Sequence, residues 1–175
     1  MSYRNTIINI DNTRFNFTNF SGDPNRDLYH SDKRAFGIKI PDAELAQRLQ
    51  DMGVNVKWTR PQEGRVYENG FTPTAYVRVN VGIEAKWPPK IVWITPNGRK
   101  KEVTDPDTLS QLDYIRVKNV NCQVKMKEQK MNPGHYTLYA DVVYIEQDVD
   151  YDPYAAQYAS YPEATAASTQ EEAPF

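Results

Sequence analysis

The sequence predicts a mainly β domain over residues 1–147 and a disordered acidic tail over residues 148–175. Three observations carry this. Apolar residues alternate with polar ones in seven segments, the signature of half-buried strands. Helical spacing occurs in only two short stretches. Beyond Gln147 the composition changes to Tyr, Ala, Asp, Ser and Pro with no Lys or Arg, a mixture with too little apolar surface to offset the entropy of ordering. The 175 residues suffice for one core but not comfortably for two, and the 39% hydrophobic content fits a chain that is not packed throughout.

Thr6–Phe20 reads as a strand with Phe15 and Phe17 on one face, broken by Ser21-Gly22-Asp23-Pro24. Asp23–Lys33 is polar and turn-rich, an expected exposed loop. Arg34–Ile40 alternates, with Phe36, Ile38 and Ile40 on one side. Asp42 then caps a helix in which Leu45, Leu49 and Met52 recur and which Gly53 ends. Val54–Trp58 resumes strand character, and Pro61–Pro73 is a loop. Thr74–Glu84 is the clearest alternation, with Val77, Val79, Val81 and Ile83 opposite Tyr76, Arg78 and Asn80. Ile91–Thr95 is a further strand, and Asn97-Gly98 looks like a hairpin tip followed by Arg99, Lys100 and Lys101. Asp105–Leu112 is a short helix with a proline in its first turn. Tyr114–Lys127 is a long strand whose parity changes near Lys118-Asn119, as a bulge would make it. Asn132-Pro133-Gly134 turns into the last strand, Tyr136–Ile145.

Charge is divided unevenly. From Glu146 onward there are seven acids and no base; residues 1–145 hold all 21 basic residues against 16 acids, so the body is +5 and the tail −7. Such a division suits a body that meets a polyanion and a tail that repels or imitates one, though a solvated surface with a solubilising tail has the same arithmetic.

The ingredients of an enzyme are sparse. His30 and His135 lie in a polar loop and beside a turn, with no nucleophile elbow and no phosphate-binding glycine motif. Carboxylates do not fall at metal-ligand spacing, and Asp148, Asp150 and Asp152 lack the glycine and closing glutamate of a calcium loop. Cys122 sits on an apolar strand face, expected core. The chain is therefore expected to be non-enzymatic and to need no cofactor or metal. With no signal-like start and no apolar run of spanning length, it reads as soluble and of a reducing compartment.

Binding chemistry is better supplied. Single strands are held by basic grooves with aromatic faces, because each phosphate attracts a cation and each base offers a π-face. The two residue types alternate here on expected strands: Lys57-Trp58-Thr59-Arg60, Tyr76 with Arg78, Lys86-Trp87, and Trp93 ahead of Arg99, Lys100 and Lys101. Arg116, Lys118, Lys125 and Lys127 lie on the polar face of the long strand. Trp93 shares a face with Ile91, so burial suits it equally; Tyr76 keeps company with Arg78 and Asn80. A five-stranded Greek-key barrel with such a face, here with extra strands and two short helices, is the OB fold. The candidate nucleic-acid site is Tyr76, Arg78, Trp93, Arg99, Lys100 and Lys101, then Lys57, Trp58, Lys118 and Lys125. In the tail, Glu171, Glu172, Pro174 and Phe175 place acids, a ring and a terminal carboxylate where a partner could take the ring in an apolar pocket.

These stretches together resemble the bacteriophage single-stranded DNA-binding proteins of OB fold over roughly residues 8–145. The resembling pieces are Phe15–Gly22, Arg34–Ile40 leading into the Asp42–Gly53 helix, Asn55-Val56-Lys57, Pro88–Thr95 with Gly98-Arg99, and Leu112–Ile115 with Lys118-Asn119-Val120. Separately, Glu171–Phe175 is similar to the acidic Pro-Phe tip of bacterial single-stranded DNA-binding proteins. The resemblance implies sequence-tolerant binding of single-stranded DNA in phage replication, recombination or repair, in the host cytoplasm, with the tip recruiting partner proteins. Two rival readings stand beside it: a virion or assembly β-domain with a flexible acidic tether, and an RNA-binding OB domain. Homo-oligomerisation stays open.

Overall fold

Residues 5–27, 29–149, 154 and 157–162 are described by a computed structural model. Among these described residues nine strands run β1 (Ile7–Thr13), β2 (Phe15–Asn19), β3 (Ala35–Ile40), β4 (Lys57–Trp58), β5 (Ala75–Asn80), β6 (Lys90–Ile94), β7 (Lys100–Val103), β8 (Val117–Glu128) and β9 (Tyr136–Gln147). Helix α1 spans Ala43–Met52 and α2 spans Pro106–Gln111. The main sheet has the order β1-β8-β9-β5-β3-β2, antiparallel except that β5 and β9 run parallel. Its two edges, β1 and β2, are consecutive in the chain with only Arg14 between them. The sheet therefore closes into a barrel of five strand positions, the first shared by β1 and β2. At the seam Lys39 N–H donates to Arg14 O at 3.1 Å and the Thr13 hydroxyl to Lys39 O at 2.6 Å.

Alternation decides what fills the barrel. Ile38 of β3, Val77 and Val79 of β5, Val120, Val124 and Met126 of β8, and Leu138 and Ile145 of β9 are all at most 1% exposed. Cys122 is buried beside them, and burial pushes its thiol pKa up to about 12, so it packs as a small apolar side chain. Ala46 and Leu49 of α1 cover one end of the core. Asp42 Oδ1 caps that helix by accepting from Glu44 N at 2.9 Å. Gly53 ends it with φ +107°, where a side chain would also run into the Gly134 carbonyl.

Three expectations change. The single strand Thr6–Phe20 is two strands, and the register slips between Phe15 and Phe17. Phe15 turns inward onto Phe36 and Phe20, with ring centroids 4.9 and 5.6 Å away, while Phe17 turns outward, so the two do not share a face. The long strand starts at Val117 rather than Tyr114, because Leu112–Tyr114 form a 3-10 turn after α2. The cations after Asn97-Gly98 lie in or beside a strand of their own, β7, which pairs Lys101 with Trp93. The bulge expected near Lys118-Asn119 is present as a register shift between Val117 and Asn119.

Asp113 ties the end of β2 to the turn before β8. Its fully buried carboxylate accepts from Phe20 N–H at 2.7 Å and Ser21 N–H at 3.0 Å, and Arg26 Nε lies 3.4 Å away. Removing the acceptor leaves two backbone donors without a partner. Asp113→Ala is expected to destabilise the fold by about 2–3 kcal/mol, read as a lower urea midpoint at unchanged m-value. An unchanged midpoint would show that the loop satisfies those donors by itself.

Candidate nucleic-acid interface

The polar face of β5 is the floor of the site. Tyr76, Arg78 and Asn80 point outward and are half-buried, alternating with the buried Ala75, Val77 and Val79. Registration places Tyr76 between two lysines, Lys39 of β3 on one side and Lys57 of β4 on the other. Gly37 lies opposite Arg78 and also opposite Phe17, so the Arg78 guanidinium sits 5.8 Å from the Phe17 ring centroid. A Cβ at residue 37 would run into the Phe17 ring and Asn16 Oδ1, so glycine is what lets this ring lie over the sheet.

Two concavities meet on this floor. One, of about 680 Å³, is walled by Phe17, by Arg26, Asp27, Tyr29, Ser31 and Lys33, by Asn80, and by Gln129, Tyr136, Thr137 and Leu138. The other, of about 620 Å³, is formed by Val56 to Arg60. Both include Lys57 and Tyr76, so they form one open groove. Trp58 borders the second concavity, but its ring turns the other way, packing against the core with its indole N–H donating to Gln50 Oε1 of α1 at 3.0 Å.

The loop expected to be merely exposed contributes to the groove. Asp27 is buried and forms a two-pronged ion pair with Arg78, Nη2–Oδ2 at 3.1 Å and Nη1–Oδ1 at 3.4 Å. Two residues on, Tyr29 is 70% exposed and Lys57 Nζ lies 5.4 Å from its ring centroid. Two of the groove cations, Arg78 and Lys57, are thus engaged by one loop. The Arg78 hydrogen bonds, with help from the Tyr29 backbone N–H, hold the Asp27 carboxyl below its ordinary value of 3.8.

The expected site residues fall in three places. Lys57, Tyr76 and Arg78 are together in the groove, whereas Trp58 pairs with the buried Ala75 and so turns to the opposite face, against the core. Trp93, Lys100 and Lys101 belong to the β6–β7 hairpin, with Arg99 at its tip. That hairpin joins β9 at Val142–Glu146, whereas β5 joins it at Leu138–Tyr139, about 20 Å away along the strand. Trp93 is half-buried; its indole donates to Gln147 Oε1 at 2.9 Å and Lys101 Nζ lies 6.0 Å from its ring. Lys118 is exposed at the same end of β9, near the Val117–Gln147 pairing. Lys125 is separate, on the outer face of β8 and 3.9 Å from Asp141. The tail residues Glu171, Glu172, Pro174 and Phe175 lie outside the described residues.

Sequence reasoning missed Phe17, Asp27, Tyr29 and Lys39. Lys39 carries a legible signal, as the polar residue between Ile38 and Ile40, but its place beside Tyr76 depends on register. Asp27 and Tyr29 have no local signal, because the loop that carries them is distant in sequence from β5.

A barrel with an open groove of cations and rings belongs to the class of domains suited to an extended anionic chain. Over residues 2–174 the chain matches the family described as "Putative phage ssDNA-binding domain", and it belongs to that family of phage single-stranded-DNA-binding domains. No curated protein matches it. Among solved structures it is similar to the C-terminally truncated single-stranded DNA-binding protein from bacteriophage Enc34, at 10% identity over 82% of this chain and 86% of that one, TM-score 0.47. It is also similar to the Enc34 protein in complex with ssDNA, at 9% identity over 82% and 88% of the two chains, TM-score 0.45.

The Asp27–Arg78 pair has a definite pH signature. A carboxyl held below 3.8 in the folded state stabilises the fold at and above that pH, and the contribution is lost as pH falls through the lower folded value. Asp27→Asn is therefore expected to melt at a lower temperature than wild type at pH 7, with the gap narrowing below about pH 4. Coincident melting curves for the two proteins at pH 7 and on the acid side would show that the pair contributes nothing.

Proposed function

We propose that this chain binds single-stranded DNA along the β5 groove with little dependence on sequence. The observation that carries the reading is the continuity of the groove through Lys57 and Tyr76, with a lysine registered on either side of that ring. Cations follow a phosphate backbone whatever its bases, and every base has a face to stack. Tyr76 and Phe17 supply the rings; Lys57, Lys39 and Arg78 supply the charge. A phosphate arriving at Arg78 competes with Asp27 for the same guanidinium fork, since both are two-oxygen acceptors.

The strand circuit supports reading the barrel as an OB fold. The face of its second and third strand positions, β3 and β5, carries the groove, and the loops after its first and fourth positions wall it. Such folds bind oligonucleotides on that face and between those loops. Family membership supports DNA as the ligand and favours this reading over a virion or assembly protein. We place the activity in phage DNA replication, recombination or repair, with the acidic tip Glu171, Glu172, Pro174 and Phe175 docking partner proteins.

Tyr76→Ala is expected to weaken binding of oligothymidine by about five- to 150-fold, the worth of one stacked base. Replacing Arg99, Lys100 and Lys101 together by alanine is expected to leave that stacking intact and to reduce the slope of log affinity against log salt by up to about 2, at roughly 0.7 per lost phosphate contact. Fluorescence titration at several salt concentrations reads both. Wild-type protein that ignores single strands at low salt would end the proposal, and an unchanged slope would remove the hairpin from the site.

The tail gives a separate expectation. Deleting residues 163–175 removes three acids and the Pro-Phe end, and is expected to abolish capture of a tail-docking protein while leaving the Tyr76→Ala effect unchanged. Equal capture by the full and shortened chains would assign partner docking elsewhere.

A further inference from the structure

The outer face of β9 carries rings and cations that the groove does not use. Tyr139 and Tyr144 both point outward, away from the inward Leu138, Val143 and Ile145. Each has a lysine over its ring: Lys127 Nζ lies 5.5 Å from the Tyr139 centroid, and Lys90 Nζ 6.0 Å from the Tyr144 centroid. The two lysines come from opposite sides, Lys127 from β8 and Lys90 from β6, so β9 presents two half-buried rings between flanking charges. The two tyrosines are about 15 Å apart along the strand. The acids on this face are Asp141, 3.9 Å from Lys125, and Glu146, which accepts from Asn119 Nδ2 at 2.8 Å.

This face is continuous with the groove. Asn80 lines the groove and pairs in parallel register with Tyr139, and Thr137, two residues before it on β9, lines the groove as well. A strand leaving the groove past Asn80 meets Tyr139 first and Tyr144 next. We propose that single-stranded DNA continues from the groove onto β9, stacking bases on Tyr139 and Tyr144 with phosphates beside Lys127 and Lys90. The inference rests on the groove reading and extends it. A base arriving at either ring takes the face that the lysine covers and leaves the ammonium for its phosphate, so each ring–lysine pair offers a base and its phosphate their two partners. The binding site is then longer than the groove, and its outer half is engaged only by a ligand long enough to reach it.

The test uses the full chain and two oligothymidines, of about 5 and about 15 nucleotides, near the two ends of the range of OB-fold site sizes. The double variant Tyr139→Ala/Tyr144→Ala is expected to lose about tenfold or more in affinity for the longer oligomer and to bind the shorter one as wild type does. Because loss of two half-buried rings could loosen the sheet, the exposed pair Lys90→Ala/Lys127→Ala is measured alongside. It is expected to lower the salt slope for the longer oligomer alone by about 1.4. Wild-type affinity and slope for the longer oligomer in both variants would overturn the extension while leaving the groove in place. Failure of the wild type to bind either oligomer would overturn the groove reading and this one with it.

Discussion

Closure of the barrel at Arg14 is the constraint from which the rest follows. β1 pairs with β8 and β2 pairs with β3, so one chain segment supplies the strands at both ends of the sheet order. The Arg14 carbonyl and the Thr13 hydroxyl bind the same residue, Lys39, from its two backbone sides, which fixes where the segment changes partner. With that point fixed, the slip between Phe15 and Phe17 follows. One ring enters the core and the next lies on the outer face over Gly37 beside Arg78. The groove wall and the core cluster of Phe15, Phe20 and Phe36 are two results of one bulge.

The groove itself rests on an opposed pair of demands. In the proposed reading Arg78 offers a phosphate a rigid guanidinium fork, and the same fork is held by Asp27 in the structure. The pair orders a loop that would otherwise cross the opening freely and brings Tyr29 within reach of Lys57. A site built this way presents cations already oriented, at the cost of a competitor already seated. Sequence-tolerant binding suits that compromise, since it needs moderate contacts repeated along a strand.

The division of charge acquires a spatial meaning from the topology. The cations are spread along a path from β4 across β5 to β9, with further lysines on the β6–β7 hairpin. Aromatic rings accompany them at most steps: Tyr76, Phe17, Tyr139, Tyr144 and Trp93. Most of these cations lie on edges or outer faces, where their hydrocarbon stems cover rings and their charged ends stay in water.

Local pattern alone determined a large part of this protein. The alternation over Thr74–Glu84 fixed which side chains of β5 face out, and Asp42 with Gly53 fixed the ends of α1, because period and capping are properties of neighbouring residues. Tyr76, Arg78, Lys57 and Trp58 were legible as candidates for the same reason. What only the tertiary structure decided is which of these faces meet. Register across β3, β4 and β5 put Lys39 beside Tyr76, and the parallel pairing of β9 with β5 and β6 in turn moved Trp93 and its lysines to the other end of that strand. Register is set by pairing between segments tens of residues apart, and a one-residue slip inverts a face, so no local period encodes it. The separation of Phe15 from Phe17 and the partnership of Asp27 with Arg78 depend on such distant pairing, and for that reason the strands could be read from the sequence and the groove between them could not.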